Sequence, residues 1–86
     1  MPDFVATIRV RPKDEVRDPQ GESVAGALRA LGFEVADVRT GKELVVRFSA
    51  AGEAAARHAV RTMGDQLLAN PVIEEYTVDL ASAGTA

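Results

Sequence analysis

The sequence predicts an α+β domain with elements in the order β-α-β-β-α-β. Three observations predict it. Polar and apolar residues alternate strictly near both ends of the chain, two stretches of helical spacing lie between, and a glycine-centred turn separates those stretches. The chain has 86 residues, enough for one small domain.

Residues 4 to 11 place Phe4, Ala6, Ile8 and Val10 on one face, with Val5, Thr7, Arg9 and Arg11 on the other. That is a half-buried strand, and Pro12 ends it. Asp18-Pro19 is a helix start: the Asp side chain caps free backbone N–H groups, and proline is tolerated at the first helical position. Val24, Ala27, Leu28 and Leu31 follow at helical spacing, and Gly32 supplies a left-handed stop.

Residues 33 to 49 are expected to hold two β segments around Thr40-Gly41-Lys42, with Val38 in the first and Leu44, Val46 and Phe48 on one face of the second. Ser49 is the expected cap of a second helix. Its apolar stripe is Ala56, Ala59, Val60, Met63 and Leu67, and Glu53, Arg57, Arg61 and Asp65 face out. Asn70-Pro71 opposes its continuation. A last strand is expected over Val72 to Leu80.

This is the ferredoxin-like split pattern, with a four-stranded antiparallel sheet and both helices on one face. The expected domain covers residues 1–80, and 81–86 form a frayed tail. The open face should carry Val5, Thr7, Arg9, Val45, Arg47 and Ile73. Its apolar members suit a partner, although scattered surface valines are also ordinary.

Composition excludes several function classes. Apolar content of 47% supports a packed core, but a domain this small buries only roughly 60% of its unfolded surface, so association is expected. The chain has no cysteine, which removes disulfides, thiolate nucleophiles and Cys-ligated metals. The single histidine, His58, is read as a surface or half-buried helix residue. A net charge of −3 argues against nucleic acid. Without a signal sequence, or an apolar run near the ~18 residues of a membrane span, a cytoplasmic protein is expected.

Catalytic patterns are missing. Gly41-Lys42 lacks the rest of a phosphate loop, and Glu74-Glu75 point to opposite faces of a strand. An RNA-recognition module would need exposed aromatics on its central strands. A metal carrier would need cysteine pairs, and an acylphosphatase-like enzyme would need a glycine-rich loop where Arg11-Pro12-Lys13-Asp14 stands. Arg39 and Lys42 read either as solvated charge or as contacts to an anion or partner. Asp18 is accounted for as a cap, whereas Gln20 has no evident structural duty.

Three segments carry a resemblance. Val16-Arg17-Asp18-Pro19-Gln20-Gly21, followed by Val24 and Leu28, resembles the loop-to-helix signature of the small (PurS) subunit family of phosphoribosylformylglycinamidine synthase. Asp37-Val38-Arg39-Thr40-Gly41-Lys42 resembles that family's hairpin signature. Leu67-Leu68-Ala69-Asn70-Pro71-Val72-Ile73-Glu74-Glu75-Tyr76 resembles its passage from helix to last strand. Arg17, where the family usually has an apolar residue, and the alanine-rich stretch 50–56 depart from the pattern.

The resemblance implies a non-catalytic assembly subunit of an ATP-dependent C–N ligase of the glutamine amidotransferase type, which makes formylglycinamidine ribonucleotide in purine synthesis. It implies no active site, cofactor or metal in this chain, with ATP and magnesium used by a large synthetase subunit. The implied partners are a second copy (as a dimer or dimer of dimers), the synthetase and a glutaminase, between which ammonia passes. Asp18, Gln20, Gly21, Arg39, Gly41, Lys42 and Asn70 are the implied interface or scaffold residues; Asp18, Gly21, Gly41 and Asn70 could equally owe their identity to turns and caps. The competing expectation is a free-standing dimeric sensor of small molecules.

Overall fold

The computed structural model describes residues 1–83. Three antiparallel strands form one sheet: β1 (Asp3–Pro12) at the centre, flanked by β2 (Lys42–Ser49) and β3 (Glu74–Ser82). The helices are α1 (Pro19–Ala30) and α2 (Glu53–Met63), and a π-helical turn over Gly64–Leu68 extends α2.

The alternation in β1 sets the core. Register pairs Ala6 with Val46 and Leu80, and Ile8 with Leu44 and Val78, so these side chains share the inner face. Ala6 and Ile8 are fully buried there under Val60 and Ala69. The outer face carries ions in register: Arg9 donates to Glu43 on one neighbouring strand (3.1 Å) and Asp79 on the other (2.6 Å). Val5, Thr7, Val45 and Arg47 lie on this open face as expected; Ile73 precedes β3.

The sheet has three strands where four were expected. Residues 33 to 41 form no strand, because other partners claim them. Arg29 donates to the carbonyls of Val35 (3.0 Å) and Ala36 (2.8 Å), turning the segment back along α1. Its far end is fixed by side chains of residues 18 and 39, described below.

Nor do both helices cover the sheet. The radius of gyration is 16.7 Å, where a compact chain of this length would give about 12 Å. The longest dimension is 52 Å, while a ten-residue strand spans about 33 Å. The excess is close to the length of α1, about 18 Å for twelve residues. Helix α1 therefore extends beyond the end of the sheet, and α2 alone packs on the inner face.

Helix ends follow local chemistry with one exception. Asp18 caps α1, Pro19 occupies its first turn, and Gly32 takes the left-handed conformation (φ 97°) just past its end. Ser49 does not cap α2. Its hydroxyl donates to Asp3 (2.7 Å), and Gly52 stands at the N-cap without a side-chain bond. Strand β3 starts two residues later than expected and runs through Ala81 and Ser82, which pair with Val5 and Phe4. Of the rest of the expected tail, Ala83 donates its N–H to Asp3 O (2.9 Å), and 84–86 lie outside the described residues.

Candidate functional site

The three signature segments converge on one end of the sheet, where β1 finishes and both β2 and β3 begin. Asp18 is the centre of the first junction. Its carboxylate accepts hydrogen bonds from the Gly21 N–H (3.0 Å), the Thr40 N–H (2.6 Å) and the Thr40 hydroxyl (2.9 Å). Only the first is a helix cap. The others tie the start of α1 to the residues that lead into β2.

Gly21 makes this approach possible. A Cβ there would overlap the Val38 carbonyl and crowd the Asp18 carboxylate. Gly41 has the same role just before β2, where a Cβ would lie 2.5 Å from the Val10 carbonyl oxygen. The glycines thus hold backbone against backbone.

Arg39 closes the junction from the other side. Its Nη2 donates to the carbonyls of Lys13 (2.7 Å) and Val16 (2.9 Å), with Pro12 farther off at 3.4 Å. A planar, permanently charged guanidinium suits such a cluster of convergent carbonyls, of which Lys13 O also accepts from the Val16 N–H (2.9 Å). The Asp18 carboxyl sits below the ordinary carboxylate range. The Thr40 N–H bond is the largest cause, followed by the Gly21 N–H; burial opposes them, and the Thr40 hydroxyl and the Arg39 charge assist.

The third segment meets the same end. Asn70 folds it into a turn: its Oδ1 accepts from Val72 N–H (3.1 Å), and its carbonyl accepts from Glu74 N–H (2.7 Å). Lys13, whose carbonyl holds Arg39, donates its N–H to Ile73 O (2.9 Å). Beyond the turn, the Tyr76 ring rests on Gly64, and its hydroxyl donates to Asp65 (2.8 Å). Burial first, then the bond and charge of Asp65, push this phenol up.

Of the residues named from sequence, the structure joins Asp18, Gly21, Arg39 and Gly41 in one junction and sets Asn70 on its flank. Gln20 and Lys42 are exposed, and among the described residues neither side chain has a bonded partner. Sequence reasoning misses Thr40 as a functional partner. Nothing local marks it, since its bond to Asp18 spans 22 residues. The arrangement offers rigidity and shape: an open groove of about 660 Å³ runs past Arg11, Arg39, Lys42, Glu75 and Tyr76. Among the described residues, no three His, Cys, Asp or Glu side chains gather to hold a metal ion. His58 is exposed on α2. No helix of the described residues is long and apolar enough to cross a membrane.

Comparison with known proteins adds the following. A family model described as "PurS: Phosphoribosylformylglycinamidine (FGAM) synthase" matches residues 5–82. The chain is 41% identical over 76 residues to the phosphoribosylformylglycinamidine synthase subunit PurS of Synechocystis sp., a match that covers 87% of this chain and 76% of that protein. It superposes on Thermus thermophilus PurS with a TM-score of 0.86 at 39% identity, over 96% of this chain and all of the other. A chain in the structure of PurLQS from Thermotoga maritima gives a TM-score of 0.87 at 36% identity, over 94% of this chain and 100% of that one.

Proposed function

This chain belongs to the PurS family of phosphoribosylformylglycinamidine synthase subunits, and from that premise we propose that it is the assembly subunit of such a complex. It docks a glutaminase subunit onto a large synthetase subunit. Formylglycinamide ribonucleotide is converted to formylglycinamidine ribonucleotide at the synthetase, with ATP and magnesium bound there and nitrogen drawn from glutamine. The chain acts in the cytoplasm, as a dimer or dimer of dimers, and holds no cofactor of its own.

The observation that carries this reading is the likeness to a PurLQS chain over nearly the whole length. The geometry suits it. Free ammonia protonates or escapes in water, so the two active sites must be joined before glutamine is cleaved. An adaptor raises their effective concentration and fixes their orientation. For that task the chain needs surfaces held at fixed angles, and the junction of Asp18, Gly21, Arg39 and Gly41 holds the α1 segment rigidly to the end of the sheet.

Mixing this chain with the glutaminase and synthetase of the same organism, followed by native mass spectrometry, tests the reading. The expected result is one species containing all three chains, with the glutaminase absent when this chain is left out. A glutaminase–synthetase complex of full stability without this chain would overturn it.

A further inference from the structure

We propose that the turn from Gly64 to Glu74 is a docking surface for a subunit of another kind, one that offers an apolar pocket ringed by lysine or arginine. This rests on the assembly role proposed above. It adds which surface of the chain is used and what chemistry meets it.

The turn shows apolar side chains that helical spacing would bury. Val60, Met63 and Leu67 share one stripe, and a continuous α-helix would carry Leu67 onto the sheet. The π-helical turn prevents this. The Ala69 N–H reaches back five residues to the Gly64 carbonyl (3.0 Å), so one extra residue is wound in. Gly64 leaves room for the Tyr76 ring, and Asp65 accepts from the Tyr76 hydroxyl, which together hold the turn in this form. Leu68 packs on the core instead, and Leu67 is left 83% exposed. Val72 follows at 77% and Ile73 at 44%.

These side chains stand on a braced backbone. The Asn70 N–H donates to Glu74 (2.7 Å), the Ile73 N–H donates to the Asn70 carbonyl (3.2 Å), and Ile73 O is held by Lys13. Single exposed valines are ordinary. Three large apolar groups on one fixed turn are a different matter, because groups already held in place lose little freedom on binding.

Charge selects the occupant. Residues 64 to 76 carry Asp65, Glu74 and Glu75 and no lysine or arginine, three negative charges that equal the net −3 of the whole chain. The bond from Lys13 to Ile73 brings Asp14 and Glu15 alongside, both exposed and without bonded partners among the described residues. Glu75 is offset by Arg11, and Arg57, in the groove beside the turn, by Glu53. Lys13 and Arg61 then oppose four carboxylates, so the surplus is negative. A second copy would bring the same surplus and be repelled. A surface rich in lysine or arginine would be drawn in.

The test titrates this chain into the glutaminase and synthetase, with glutamine, ATP, magnesium and formylglycinamide ribonucleotide present. It reads the concentration of the chain that gives half the maximal rate. Leu67→Ser with Val72→Ser is expected to raise that concentration by about tenfold or more at an unchanged plateau. Asp14→Asn with Glu15→Gln is expected to raise it about threefold and to flatten its dependence on salt. An unchanged value for the serine pair overturns the docking surface, and an unchanged value for the amide pair overturns its basic occupant. Light scattering on the serine pair alone gives a third reading: a mass below that of the wild type would seat a second copy on the turn and overturn the inference. A wild-type chain that fails to stimulate the rate overturns the assembly role itself. Val72→Thr keeps the shape of the side chain and repeats the test, with a smaller shift in the same direction, should the serine pair melt early.

Discussion

In the body made of the three strands and α2, burial is apolar: Phe4, Ala6, Ile8, Val10 and Val60 close against one another. In the segment from Lys13 to Gly41, the buried residues are Asp18, Gly21 and Ala25. One region is held by a core, the other by a carboxylate, a guanidinium and two close-packed glycines. Apolar packing has no direction, so it gives stability without fixing angles. Hydrogen bonds with defined partners fix an angle while contributing less per group. The body therefore supplies stability, and the junction sets where α1 points.

Substitutions in each region should separate these contributions. The largest effect is expected from Ile8→Ala, which opens a cavity at a fully buried site. About 3 kcal/mol of unfolding free energy should be lost, measured by denaturant titration at one fixed protein concentration, since any association would add to apparent stability. Gly21→Ala should cost less, about 2 kcal/mol from forced overlap at the Val38 carbonyl. Its signature is local: amide exchange should speed up at Thr40 and Gly21 while β1 amides stay protected. Equal loss of protection in β1 would mean that the two regions are not separable.

Asp18→Asn tests the electrostatics. The carboxyl is held below its unfolded value of about 3.9. In that window the unfolded chain binds more protons, so stability falls as pH falls. The contribution of Asp18 is complete above the unfolded value and is lost as pH drops through the folded one. The wild-type minus Asp18→Asn stability difference, followed by thermal melts, should be constant near neutrality and shrink in acid below about pH 4. A difference that does not change with pH would deny the charged carboxylate any part in holding the junction. The smallest effect belongs to an ion pair with no role in either region. Glu53 and Arg57 pair one helical turn apart on the surface, so Glu53→Gln should shift stability by only about 0.3 kcal/mol and less in high salt.

The same contrast explains what is legible in the sequence. Alternation in Phe4 to Arg11 and the spacing of Ala56 and Val60 report burial directly, whereas Leu67, placed on the same stripe, lies in the π-helical turn past Met63 and is 83% exposed. Asp18, Pro19 and Gly32 mark the ends of α1 by rules that need only near neighbours. Contacts across distant residues are not legible. Val38 has the look of a strand residue, but Gly21, seventeen positions earlier, takes its carbonyl into a close contact. Asp18 has the look of a cap, and its bonds to Thr40 reveal the second duty. Ser49 loses its expected role to Asp3, which strand pairing brings alongside. The apolar stripe of α1 is evident from its spacing, but nothing in that spacing says that its own sheet would be out of reach.

The structure gives several of the signature residues one shared duty. Asp18, Gly21, Arg39 and Gly41 build the junction. Gln20 and Lys42 are exposed and without bonded partners among the described residues.

The most direct test of the assembly role compares two nitrogen sources. Formylglycinamidine ribonucleotide formation by the synthetase and glutaminase is measured with glutamine and, separately, with ammonium salt, in the presence and absence of this chain. Omission is expected to abolish the glutamine-dependent rate and spare the ammonia-dependent one. Equal glutamine-dependent rates with and without the chain would contradict the assembly role.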